Sequence, residues 1–331
     1  MSQAENYSAQ RLTVDGIEVV RLTDRARNTQ VSIIPSIGNI AYEMSVGGAN
    51  VFWWPYTSLA DFKAKPGFAG NPFLGPWANR LDQDAFYANG RKYTLNPDLG
   101  NIRCDPSQHP IHGFLSYVPW QAIDVGADTD SAWVSSKLEF WKHPDWMAQF
   151  PFAHNLVMTY RVHEGALEVK LIVENFATDP MPLSIGFHPY FTLHDTPRDR
   201  WTVHVAASDH IRLSEQLIPT GQTDPIGLPD PYPLDGNNQL DDVFSALRRD
   251  DKGRATFWVQ GTKQRLSVVY GPNYPVAVVY APRGKDFICF EPMTAITNAM
   301  NLAHAGLYKG LTYVPAGGRW EESFWIRPEG F

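Results

Sequence analysis

The sequence predicts an all-β protein, a large antiparallel β-sandwich formed as one domain from residues 1–331, and three observations carry that expectation. Short runs alternate between apolar and polar residues with a period of two, which is how a strand with one buried face reads. The 25 glycines and 26 prolines fall mostly between those runs, where β-turns need them. Helical patterns do not alternate with the strands, so parallel β-α-β units are excluded and packed antiparallel sheets remain.

The predicted elements follow in chain order. Alternating runs cover 17–22 and 30–34, and 58–64 is a modest helical candidate. After the run at 133–140 comes the clearest pair. Leu156, Met158, Tyr160 and Val162 share one phase, and beyond His163-Glu164-Gly165-Ala166 the phase resumes through Leu167, Val169, Leu171 and Val173. Two such runs about a short glycine-containing turn read as a hairpin. Further strands are expected at 201–205, 255–259, 265–270, 276–280 and 287–290, with a second modest helix at 298–304. Residues 219–238, rich in Pro, Gly and Asp, read as a long ordered loop.

Composition removes whole classes of function. The formal charge is −7 with no run of Lys or Arg, so the electrostatic footprint needed for nucleic acid or an anionic membrane is missing. No apolar stretch approaches the roughly 20 residues that span a bilayer. The opening M-S-Q-A-E-N-Y-S-A-Q is polar and lacks a signal-peptide core, and the two cysteines, Cys104 and Cys289, lie far apart. A soluble, cytoplasmic protein is expected. Aromatic residues reach 13%, which suits either a thick core or a sugar-binding cleft.

Polar residues interrupt apolar or turn-rich runs at G-P-W-A-N-R (75–80), P-I-H-G-F (110–114), G-F-H-P-Y-F (186–191), F-I-C-F-E-P-M-T (287–294) and, more weakly, L-D-D-V-F (240–244). Glu291 stands at the end of an apolar strand that Pro292 is expected to terminate. A carboxylate there loses water, its pKa rises, and it becomes a better base at neutral pH; pairing with an arginine or capping a loop is the structural alternative. His188 has an unperturbed pKa suited to moving protons, and Pro189 pushes it toward an extended conformation at the edge of a cleft. Its alternative is a satisfied core histidine. His112 lies in a turn where Gly113 lets backbone approach a ligand. His109 and His112 form H-x-x-H, yet no nearby Glu or helical pattern completes a metal site, and no metal is expected. Arg80, taken singly, reads first as one half of a surface ion pair. Phosphate loops, G-x-G-x-x-G, H-E-x-x-H and G-x-S-x-G are absent.

Taken in order, these stretches resemble the aldose 1-epimerase (galactose mutarotase) family. The matching residues are Ala78-Asn79-Arg80, His112-Gly113, His188-Pro189-Tyr190-Phe191, Leu240-Asp241-Asp242-Val243-Phe244, Glu291-Pro292-Met293-Thr294 with Asn298 after it, and the tail V-P-A-G-G-R-W-E-E-S-F-W-I. The likeness spans roughly residues 10 to 327. It implies a galactose mutarotase-like β-sandwich and an isomerase that needs no cofactor. By position it makes Glu291 the general base and His188 the general acid, with His112 closest to the chemistry. It also implies that Arg80, Asn79 and Asp241 hold sugar hydroxyls; between Asp241 and Asp242, register favours the first. The chain departs from the family where Pro76 replaces an arginine and Thr192 an asparagine, changes that touch sugar recognition. A small sugar is the implied partner, with no expectation for oligomeric state. The competing readings are a hexose-6-phosphate 1-epimerase, which needs several cations round a phosphate, a non-catalytic carbohydrate-binding module, and a glycoside hydrolase or lyase, which usually wants two carboxylates.

Overall fold

In the computed structural model, which describes residues 6–331, the strands form three large antiparallel sheets and two small ones, Met181–Leu183 with Thr312–Val314 and Ala85–Ala88 with Arg91–Thr94. The polar N-terminal stretch begins in residues that lie outside this range. A five-stranded sheet runs through Tyr7–Val14, Ile17–Asp24, Thr29–Ile34, Ile40–Val46 and Ala49–Asn50. A nine-stranded sheet has the order Tyr232–Pro233, Thr202–His204, Ala255–Gln260, Arg265–Tyr270, Arg319–Glu329, Ala166–Asn175, His154–His163, Ala132–Glu139, Gln121–Ala127. An eight-stranded sheet has the order Pro219–Pro225, Ala207–Leu213, Leu240–Leu247, Val276–Ala281, Ile288–Met293, Gly186–Phe187, Phe73–Leu74, with Tyr190–Phe191 also against Ile288–Met293.

The hairpin forms in the phase the sequence predicts: Leu156 faces Val173, Met158 faces Leu171 and Tyr160 faces Val169. Glu164 and Gly165 both have positive φ, the two-residue turn whose twist matches its strands. Val20 and Ile33 of the first sheet, Tyr160, Leu171 and Phe324 of the second, and Val279, Ile288 and Phe290 of the third meet in one buried cluster. The eight-stranded sheet therefore turns one face into the core. Its other face is free to carry chemistry.

Both helical candidates form, as Leu59–Ala64 and Ala299–His304; Ser58 caps the first by accepting the Asp61 N–H at 3.0 Å. A third short helix, Pro144–Gln149, has no apolar periodicity to announce it. The expected loop at 219–238 needs correcting, because it contains the strand Pro219–Pro225 and the short Tyr232–Pro233. P-T-G-Q-T-D-P is an exposed edge strand held by backbone pairing on one side, so it shows no buried alternation. Pro292 does not terminate its strand either. The ladder keeps register through Ala277↔Pro292 to Val276↔Met293, losing one N–H without losing alignment. Among the described residues no helix is long and apolar enough to cross a membrane.

Candidate active site

Register alone brings two of the candidate residues together. Gly186 pairs with Met293 and Tyr190 with Cys289, so His188, midway between, lies across from Glu291 on the same face. Pro189 opens the ladder there and splits the segment into two short strands. His188 instead donates its backbone N–H to the Pro72 carbonyl at 3.0 Å. The result is a direct contact: His188 Nε2 lies 3.3 Å from Glu291 Oε1. The same face continues sideways. Tyr280 pairs with Cys289 and Asp241 with Tyr280, giving a row Asp241, Tyr280, Cys289, Tyr190 beside the row Val278, Glu291, His188. Gly186 makes room for this face, since a Cβ there would run into the Met293 sulfur and come within 2.9 Å of the Pro292 carbonyl.

The opposite wall comes from two loops locked to each other. Gly113 allows the contact, because a Cβ on it would fall on the carbonyl of Gly75. Asn79 donates its backbone N–H to His112 Nδ1 at 3.1 Å, while the His112 N–H donates to the Asn79 carbonyl at 2.9 Å. That pairing decides a tautomer. With Nδ1 accepting, the ring proton of neutral His112 sits on Nε2. The His112 ring lies 5.6 Å from that of His188, edge to face. Asn79, His112 and Asn298 all adopt left-handed backbone, uncommon for residues with a side chain and frequent at functional sites. Asn79 Oδ1 accepts from Arg80 Nη1 at 3.1 Å, and Arg80 Nε donates to Asp105 Oδ2 at 2.6 Å. Arg80 is thus held and neutralised by a largely buried carboxylate.

Asp241 and Asp242 part company. Asp242 Oδ1 is 2.8 Å from His210 Nε2, whereas Asp241 lies within electrostatic reach of both Arg80 and Glu291. His109 sits beside Asp105 at 3.7 Å, away from the His112–His188 contact. Among the described residues no three His, Cys, Asp or Glu side chains gather as metal ligands would. Several neighbours escape sequence reasoning. Tyr190 stacks on His188 with ring centroids 4.7 Å apart and planes 3° from parallel. Phe68 packs against His188, His112 and Tyr117 at 5.7, 5.3 and 5.7 Å, and the Arg103 guanidinium lies 4.3 Å from the Phe68 ring. Phe68 and Arg103 belong to no motif; the surplus of aromatic residues is a signal for the first, and the second has none.

Burial dominates the electrostatics. Desolvation drives the Glu291 carboxyl well above its ordinary pKa, Asp241 adds to the shift and Arg80 opposes it. Desolvation also drives the His188 imidazole down, with Arg103 adding to the fall. His112 is held far below its usual value by burial and by the nearby His188, Arg103 and Arg80. It therefore stays a neutral N–H donor. The raised carboxyl and the lowered imidazole face each other across the 3.3 Å contact, the path a proton shared between them would take. Glu291 Oε2 and His188 Nδ1 are buried with no protein partner. Such orphaned polar atoms are costly in a core and expected where a ligand completes them. The arrangement can take a proton at one point and supply one a few ångströms away.

The profile of the aldose 1-epimerase family matches residues 19–327. The chain belongs to the aldose 1-epimerase family. A galactose mutarotase-like protein from Clostridium acetobutylicum superposes with a TM-score of 0.87 at 20% identity, covering 99% of this chain and 100% of that one. The galactose 1-epimerase of Lactobacillus acidophilus superposes at 0.74 with 16% identity, covering 98% and 100%. At such identities these likenesses speak for the fold. The uncharacterized Escherichia coli protein YphB is 27% identical over 188 residues, 55% of this chain and 58% of its own length. This family member thus has the galactose mutarotase-like all-β fold that its motifs imply.

Proposed function

We propose that the protein is an aldose 1-epimerase that interconverts the α and β anomers of a hexose by acid–base ring opening. Glu291 as carboxylate takes the proton of the C1 hydroxyl while His188 as imidazolium protonates the ring oxygen. The C1–O5 bond breaks, the open aldehyde turns about C1–C2, and the same steps in reverse close the ring on the other face. Protons balance, and the pair ends as it began, carrying one. Neutral His112 donates its Nε2–H to an oxygen near C1. Arg80, Asn79 and Asp241 hold hydroxyls farther along the ring.

The observation that carries this reading is the contact between His188 Nε2 and Glu291 Oε1 at 3.3 Å, buried and left without other partners. The resting pair and the working pair contain the same number of protons, so binding need only move one across a contact already made. A binding module has no use for a buried carboxyl opposite an imidazole. The test is polarimetry of freshly dissolved α-D-glucose and α-D-galactose with the wild type and Glu291→Gln. Acceleration by the wild type and its loss in the variant is the expected result. A well-folded wild type that accelerates no aldose would overturn the reading.

A further inference from the structure

Asn298 stands seven residues beyond Glu291, and the proposed chemistry gives it no part. The chain between the two is firmly seated. Thr294 locks onto the segment that leads into His188: its N–H donates to the Ile185 carbonyl at 2.9 Å, and its hydroxyl accepts the Ile185 N–H at 2.9 Å. Ala295, Ile296, Ala299 and Leu302 then pack with Val276, Val278 and Met293 in one buried cluster. Val278 pairs with Glu291 and Val276 with Met293, so this packing lies on the face of the sheet that carries the base. Asn298, itself 1% exposed, is thereby fixed relative to Glu291.

From that seat Asn298 grips the Arg80 loop at two points. Its backbone N–H donates to the Arg80 carbonyl at 3.0 Å, and its Oδ1 accepts the Asp82 N–H at 3.2 Å. Left-handed backbone, with φ at 60°, lets the carbonyl start the helix Ala299–His304 while the N–H turns to Arg80. Because Oδ1 is the acceptor, Nδ2 is the buried atom left with no partner. Glycine would adopt this backbone without that cost, so the Oδ1 bond to the loop is what the side chain adds. The loop has one other tie of this kind, the Ala78 N–H to the Ser184 carbonyl on the far side of Asn79. The Leu81 N–H goes to the Pro110 carbonyl, and the Arg80 guanidinium to Asn79 and Asp105, all within the opposite wall. Asn298 supplies the tie on the C-terminal side of Arg80.

We infer that Asn298 is a positioning residue for the reaction: acting through Arg80, it sets where the sugar lies relative to Glu291 and His188. This rests on the proposed function for the role of Arg80, so binding and turnover are measured apart. Asn298→Gly keeps the left-handed backbone and the N–H to Arg80 and removes only the side chain. Calorimetry of the full chain with anomerically equilibrated D-glucose and D-galactose reads binding alone, since turnover leaves an equilibrium mixture unchanged. Polarimetry of the fresh α anomers reads kcat and KM.

Asn298→Gly is expected to raise Kd and KM about tenfold, the worth of one hydrogen bond, with kcat changed much less. In an Arg80→Lys background the same substitution should change Kd by less than about twofold, because the two residues act as one unit. Asn301→Ala is the structural control. Asn301 Nδ2 donates to Asp82 Oδ1 at 2.7 Å and to the Ala85 carbonyl at 3.1 Å, so its loss should lower the melting temperature while leaving Kd within about twofold of the wild type. Unchanged affinity in Asn298→Gly, an equal loss in the Arg80→Lys background, or the same loss in Asn301→Ala would overturn the inference even if mutarotation is fast. Coupled loss of binding in a protein that turns over no aldose would uphold Asn298 and sink the epimerase reading instead. A wild type that binds no aldose would overturn both.

Discussion

If Glu291 and His188 pass a single proton, their removal should not be additive. A general acid or base contributes roughly 10²–10⁴-fold, so Glu291→Gln and His188→Asn should each lower kcat/KM by about that factor, roughly 2.7–5.4 kcal/mol. Independent groups would multiply, taking the double variant down by about 10⁴–10⁸. These two touch at 3.3 Å, and the outer atoms Oε2 and Nδ1 have no other protein partner, so either one alone leaves the circuit open. The double variant should therefore fall about as far as the weaker single one, as acid–base units do when they act together. Polarimetric or coupled assays of the four proteins give the cycle. Stability supplies an internal control. Because burial holds the folded carboxyl protonated above its usual 4.5 while the unfolded one releases its proton, the wild type loses stability as pH rises through that value. Gln has no proton to hold. Glu291→Gln should thus melt higher at neutral pH, by roughly 0.5–2 kcal/mol in stability, with the gap closing in acid. A multiplicative double variant, or a gap that ignores pH, would refute the shared-proton argument.

The remaining expectations use the same geometry. With His188 pushed down to about 3, kcat/KM should show no acid limb in the ordinary imidazole range near 6.5; such a limb would mean that His188 titrates alone. Gly186→Ala forces its Cβ into Met293 and against the Pro292 carbonyl, which should lower stability by roughly 1–3 kcal/mol and reduce turnover by moving the strand that carries Glu291. Denaturant midpoints and rates that match the wild type would show that the strand yields without consequence. Cys104 is exposed, while Cys289 is buried and its thiol raised by desolvation, so a thiol reagent should label the first in the native state and both only after unfolding. Labelling of Cys289 in the folded protein would mean that the floor of the cleft opens.

Strands with one wet face were easy to read, because a period of two survives wherever solvent marks the other side. The hairpin at Glu164-Gly165 is such a case. Pro219–Pro225 was illegible for the opposite reason: as an edge it is held by backbone pairing and needs no apolar face. Ile288–Met293 was blurred differently, since every residue in it is buried and alternation carries no contrast. Phe290 enters the common core and Glu291 the cleft, yet the two look alike in a pattern of buried positions.

That blurring is also why the site needed more than its motifs. Pro189 marked His188 as an extended residue at the edge of a cleft, but only the register between two strands far apart in the chain sets His188 opposite Glu291. Once the ladder opens, the imidazole turns from a cross-strand neighbour into a proton partner, and the proline that interrupts the strand becomes part of the chemistry.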